Sequence, residues 1–122
     1  MIIGTKIRRV EPDITVVEIS GHLNLGNNLM QLEHMLKQLI EGGVRKIAVD
    51  LANLNFIDSA GIGMLVGVNG QMDGAGGRVR IAGAHGPVAR VFETVHMQRI
   101  VPMDADVAAS VESLSAAGEA AG

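Results

Sequence analysis

A single α/β domain is the fold this sequence predicts, and three observations predict it. Two extended segments come first, helix-spaced and strand-spaced apolar runs then alternate, and the 122 residues hold no linker or internal repeat that would divide them. This order implies a mixed sheet of four or five strands with helices packed on it. An antiparallel hairpin opens the sheet, and helical crossovers join parallel strands after it.

The extended segments are Ile2–Val10 and Ile14–Ser20, separated by Glu11-Pro12-Asp13, whose proline and aspartate suit a tight turn. A helix follows, because Leu25, Leu29, Leu32, Leu36 and Leu39 recur at spacings of four and three; Gly42-Gly43 ends it. Val44–Leu51 reads as a strand with Ile47, Val49 and Leu51 on one face. After Asn53 and Asn55 a second helix starts near Asp58-Ser59, with Ile62, Leu65, Val66 and Met72 predicted inward, and Gly74, Gly76 and Gly77 form the next turn. Val79–Ala82 is a short strand. Gly86-Pro87 opens a third helix with Val88, Val91, Phe92 and Val95 as its stripe, the proline sitting where a missing N–H costs little. Arg99–Val101 is predicted as a last strand, and Asp104 as the cap of a final helix carrying Val107, Val111 and Leu114. From Ser113 the chain turns to Ser, Ala and Gly, which predicts fraying.

Composition narrows the function. The chain is 48% apolar with two Phe and no Trp or Tyr, so its core must be aliphatic, with Met30, Met35, Met64, Met72, Met97 and Met103 mostly filling it. Few aromatics argue against base stacking on single strands. A net charge of −3 and Lys/Arg runs no longer than two argue against a nucleic-acid backbone binder. Without cysteine there are no disulfides, thiol chemistry or Cys-ligated zinc. The opening residues lack the pattern of a signal peptide, and the longest uncharged stretch, Ser59–Met72, is too short for a membrane span and broken by four glycines. The expectation is a soluble cytoplasmic domain without nucleic-acid or membrane partners.

The most informative stretch is Leu54-Asn55-Phe56-Ile57-Asp58-Ser59-Ala60-Gly61-Ile62-Gly63. Ser59 falls at a helix start, where free amides and the helix dipole favour a phosphate. Gly61 and Gly63 are expected to let a partner approach the backbone. Met64 falls off the predicted inward stripe and is expected to be exposed beside Ser59. Spacing alone favours a plainer reading, in which Asp58 and Ser59 merely cap a helix and the glycines pack closely.

The segment resembles the signature of the STAS domain, found in anti-sigma factor antagonists and in sulfate-transporter tails. The resemblance runs from Ile2 to Leu114 and rests on the element order, the Ser20-Gly21-His22-Leu23-Asn24 turn and Asp58-Ser59-Ala60-Gly61-Ile62-Gly63. It implies a STAS domain at 1–114 with a flexible tail at 115–122. It further implies a non-enzymatic, cofactor-free partner switch, phosphorylated on Ser59 by an ATP-dependent anti-sigma factor that is also its partner, and reset by a phosphatase. The expected partner surface is His22, Asn24, Asp58, Ser59, Ala60, Gly61, Gly63 and Met64. The turn commonly reads Gly-Glu-Leu-Asp in that family; here both acids are replaced, by His22 and Asn24. The alternative is an unphosphorylated STAS scaffold or transport-complex subunit.

Other chemistries fit less well. A nucleophile elbow needs glycine two residues before the serine, and position 57 is Ile. Gly61, Gly63 and Gly67 miss the dinucleotide fingerprint by one residue, and no P-loop sequence occurs. His22, His34, His85 and His96 are too scattered to suggest metal ligation.

Overall fold

The computed structural model describes residues 3–121. The elements run β1 (Ile3–Val10), β2 (Ile14–Leu23), α1 (Asn27–Glu41), β3 (Lys46–Asp50), β4 (Leu54–Ile57), α2 (Ser59–Gly74), β5 (Arg78–Ala82), α3 (Gly86–Thr94), a 3-10 turn (Met97–Arg99), β6 (Met103–Asp104) and α4 (Val107–Ala121). The expected hairpin is present, with β1 and β2 antiparallel from Ile3 opposite Gly21 to Val10 opposite Ile14. The remaining pairs are parallel, in the order β1-β2-β3-β5-β6.

Two short strands raise the expected four or five to six. Leu54–Ile57, to which the sequence pattern assigns no element, is β4. It escaped notice because Asn55 and Phe56 are exposed and only Leu54 and Ile57 are buried, a spacing that does not alternate. The ten-residue β2 makes room for it. Thr15–Glu18 pairs with β3, and beyond an irregularity between Gly21 and His22 the end of β2 pairs with β4. Thus β3 leaves β2 at Asp50, and β4 takes its place on the same side. At the other end, the expected strand at Arg99–Val101 is instead the last residue of the 3-10 turn and the bend after it, and the strand follows at Met103–Asp104.

Strand alternation sends side chains to two separately covered faces. On one, Val17, Ile19, Ile47, Val49, Val79 and Ile81 form a single cluster with the buried residues of α1, α2 and α3. On the other, Ile14, Val16 and Ala48 meet Leu114 of α4, flanked by Val107 and Val111. Leu25 and Val95, expected in helical stripes, lie outside α1 and α3 and are exposed, because Gly26 and Val95 itself occupy the caps.

The last helix is capped by Asp106, which accepts the Ala109 N–H at 2.9 Å, and not by Asp104. Asp104 belongs instead to β6, and its carboxylate is taken by the Arg80 guanidinium and the Ser110 hydroxyl and not by the free amides of that helix. The helix continues past Ser113, where fraying was expected, to Ala121. Leu114 is fully buried, so Leu114→Ala is expected to cost about 2–4 kcal/mol in urea denaturation. Truncation after Ser115 retains Leu114 and should move the melting temperature by only a few degrees; a loss comparable to that of Leu114→Ala would show that the final residues help hold the sheet. Among the described residues, no helix is long and apolar enough to cross a membrane.

Candidate functional site

Because β2 and β4 run parallel and side by side, their C-terminal ends emerge together. Leu23 and Ile57 are paired and buried, so the residues that follow, Asn24-Leu25 and Asp58-Ser59, share one end of the sheet. Crevices beyond strand C-termini are where α/β folds place binding functions. The Asp58 N–H donates to the Leu23 carbonyl at 3.2 Å, continuing the strand pairing up to the start of α2.

Asp58 is the N-cap of α2, with extended backbone angles. Its carboxylate Oδ1 accepts the Gly61 N–H at 2.9 Å, satisfying an amide that the helix leaves unpaired. Oδ2 accepts the Leu25 N–H at 3.0 Å from the loop after β2. Burial works against the Asp58 charge, but the N–H groups of Gly61, Leu25 and Ala60 outweigh it and hold the carboxyl below its ordinary range. Asp58 is therefore a charged clasp at neutral pH.

Ser59 is the first residue of α2 and is exposed. Its position combines access for a modifying enzyme with a helix end that tolerates added negative charge. Ala60, next in the chain, is half-buried, as is Asn24 just after β2, and Gly63 is exposed one turn along the helix, where a Cβ would meet nothing within 4 Å.

Two expected partner residues are corrected. Gly61 does not open the backbone to a partner: it is buried, and a Cβ there would lie 2.6 Å from the Leu23 carbonyl oxygen and 2.8 Å from Ile57 Cγ1. It is glycine because the start of α2 rests directly on the ends of β2 and β4. Met64 is not exposed beside Ser59 but 3% accessible and part of the core. The inward face of α2 is Gly61, Met64, Leu65, Val68 and Met72, while Ile62 and Val66 are half-buried at its margin. Apolar and glycine residues surround this helix, so periodicity gave little contrast from which to find its inner face.

His22 is half-buried on β2, and its ring lies against Phe56, with centroids 5.5 Å apart. Alternation places this pair on the sheet face opposite Leu23 and Ile57. What the sequence reading missed is apolar exposure: Leu25 is 76% exposed, and Met30, assigned to the core, is 63% exposed. For Leu25 the signal was Gly26, which delays the helix start to Asn27; for Met30 it was a position off the Leu29, Leu32 and Leu36 stripe. Among the described residues no group of His, Asp and Glu could hold a metal ion.

The family model for the STAS domain matches residues 6–110. The chain belongs to the STAS domain family. An anti-sigma-B factor antagonist of Staphylococcus aureus (strain NCTC 8325 / PS 47) is 27% identical over 85 residues, covering 70% of this chain and 78% of that protein. The anti-sigma factor antagonist SpoIIAA in its unphosphorylated form superposes with a TM-score of 0.73 at 20% identity, covering 92% of this chain and 98% of the other. The Bacillus cell fate determinant SpoIIAA in the phosphorylated form gives 0.71 at 18% identity, covering 90% and 99%. At these identities the two structures establish a shared STAS fold for this domain.

Proposed function

We propose that this STAS domain is an anti-sigma factor antagonist, a partner switch controlled by phosphorylation of Ser59. Unphosphorylated, it binds an anti-sigma factor and frees a sigma factor for transcription. The anti-sigma factor, acting as an ATP-dependent kinase, phosphorylates Ser59 and is released, and a phosphatase restores the first state. The protein is substrate and binding partner, not catalyst. The observation that carries this reading is the exposed Ser59 at the first position of α2, behind the Asp58 cap. The curated relative named an anti-sigma-B factor antagonist supports the function, and SpoIIAA supports it as a STAS protein known in both phosphorylation states.

The switch follows from where charge is tolerated. At the open helix end, a phosphate of about −1.5 to −2 charges meets free amides and the positive end of the dipole. Inside a closed interface it must shed water, and an unpaired buried charge costs several kcal/mol. At about 1.4 kcal/mol per tenfold, phosphorylation should weaken partner binding a hundredfold or more. Calorimetric titration of the cognate anti-sigma factor should show tight binding for wild type and Ser59→Ala, and loss for the enzymatically phosphorylated form. Equal affinities for phosphorylated and unphosphorylated protein would refute the switch. An intact mass without phosphate from native cells, under conditions that activate the kinase, would favour the scaffold reading.

A further inference from the structure

Leu25 is the anomaly at this end of the sheet. A large aliphatic side chain that is 76% exposed lies outside α1, and yet its backbone is fixed by Asp58, 33 residues away in sequence. The same carboxylate uses its other oxygen to cap α2 through the Gly61 N–H. One side chain thus ties the loop after β2 to the helix end that carries Ser59, and no other side-chain bond to Leu25 occurs among the described residues.

We propose that Asp58 is a positioning residue that holds Leu25 beside Ser59 as part of the partner surface, and that phosphorylation of Ser59 undoes this hold. The proposal rests on the reading of Ser59 as the modified residue, and it adds a second route by which modification acts. A phosphate on Ser59 sits on the residue next to Asp58 and competes for the same few amides at the start of α2. Two anions there repel, and the phosphate has more acceptor oxygens and more charge. The carboxylate gives way, and the Leu25 N–H loses its acceptor to water. Phosphorylation then places a charge at the contact and also frees the loop that presents its exposed leucine.

Amide hydrogen exchange on the full chain, read by NMR, tests this without a kinase or partner, because phosphoserine is installed at position 59 by site-specific incorporation. Exchange at Leu25 is expected to quicken about tenfold on phosphorylation, the scale of one charge-assisted hydrogen bond, while the core amide of Leu36 stays unchanged. Asp58→Ala should reproduce the effect without phosphate, and phosphorylation of Asp58→Ala should add nothing further at Leu25. Unchanged Leu25 exchange in either single form overturns the proposal. So does an equal further rise on phosphorylating Asp58→Ala, or a parallel rise at Leu36, which would signal general opening. These outcomes are separable from failure of the switch itself, which is read from partner affinity and native phosphate content.

Discussion

Gly61→Val is expected to lower the melting temperature by roughly 10 °C or more, from overpacking worth about 2–4 kcal/mol. The first added carbon alone would fall at 2.6 Å from the Leu23 carbonyl oxygen and 2.8 Å from Ile57 Cγ1. The oxygen is backbone within the β2–β4 pairing, where Leu23 also accepts the Asp58 N–H, so it has little room to yield. Relief requires α2 to lift from the sheet, and that pulls the Gly61 N–H away from Asp58. Gly63→Ala is the matched control. It meets nothing within 4 Å, and its better helix propensity should stabilise the chain by about 0.5–1 kcal/mol. Thermal melts of the two variants decide the matter: a Gly61→Val protein that melts like wild type would mean that α2 does not rest on Leu23 as described.

The second large effect is expected far from Ser59, at Asp104. Arg80 of β5 donates to it twice, from Nε at 2.7 Å and from the second guanidinium nitrogen at 3.0 Å, and the buried Ser110 hydroxyl of α4 adds a third bond at 2.6 Å. This group fastens α4 to the edge of the sheet. Asp104→Ala leaves a guanidinium and a hydroxyl without their acceptor, at a cost of about 2–3 kcal/mol; the Arg80 side chain is 25% exposed, so water offsets part of the loss. The Arg80 guanidinium holds the Asp104 carboxyl below its ordinary value, and Ser110 adds to this against the opposing effect of burial. With the folded value depressed, the stabilisation is complete above the unfolded pKa of about 3.9 and is lost as pH falls through the folded value. Urea denaturation between pH 7 and pH 2 should therefore bring wild type toward Asp104→Asn in the acid range. A constant difference between the two across that range would show that the pair contributes through packing and not through its charge.

Sequence pattern revealed the architecture wherever polar and apolar residues contrast. The leucine spacing gave α1 nearly whole, and Pro12, Gly42-Gly43 and Gly86-Pro87 marked real turns and helix ends. Contrast failed along α2, whose apolar and glycine residues surround the helix, so Met64 and Gly61 were placed outside when both point in. It failed again at β4, a four-residue strand whose middle is exposed on both alternating positions. Asp104 was assigned to a cap because local sequence offers a cap and conceals a partner 24 residues earlier. Of the candidate site, the Asp58-Ser59 helix start was legible, since capping is a local property. The bond from Asp58 to Leu25 was not, because it exists only once β2 and β4 lie side by side.

The exposure of Leu25 and Met30 bears on how freely this protein can diverge. Neither side chain belongs to the core, so changing either removes little buried surface, and surface substitutions of that kind usually move stability by less than about 0.5 kcal/mol. Gly61, Met64 and Leu65, a few residues from Ser59, have no such latitude. Mutational drift at this end of the molecule is thus channelled into positions that a partner would touch and the fold does not need. Duplicated copies of such a chain could become insulated from one another by a handful of replacements around Leu25, with α2 and its serine left as they are.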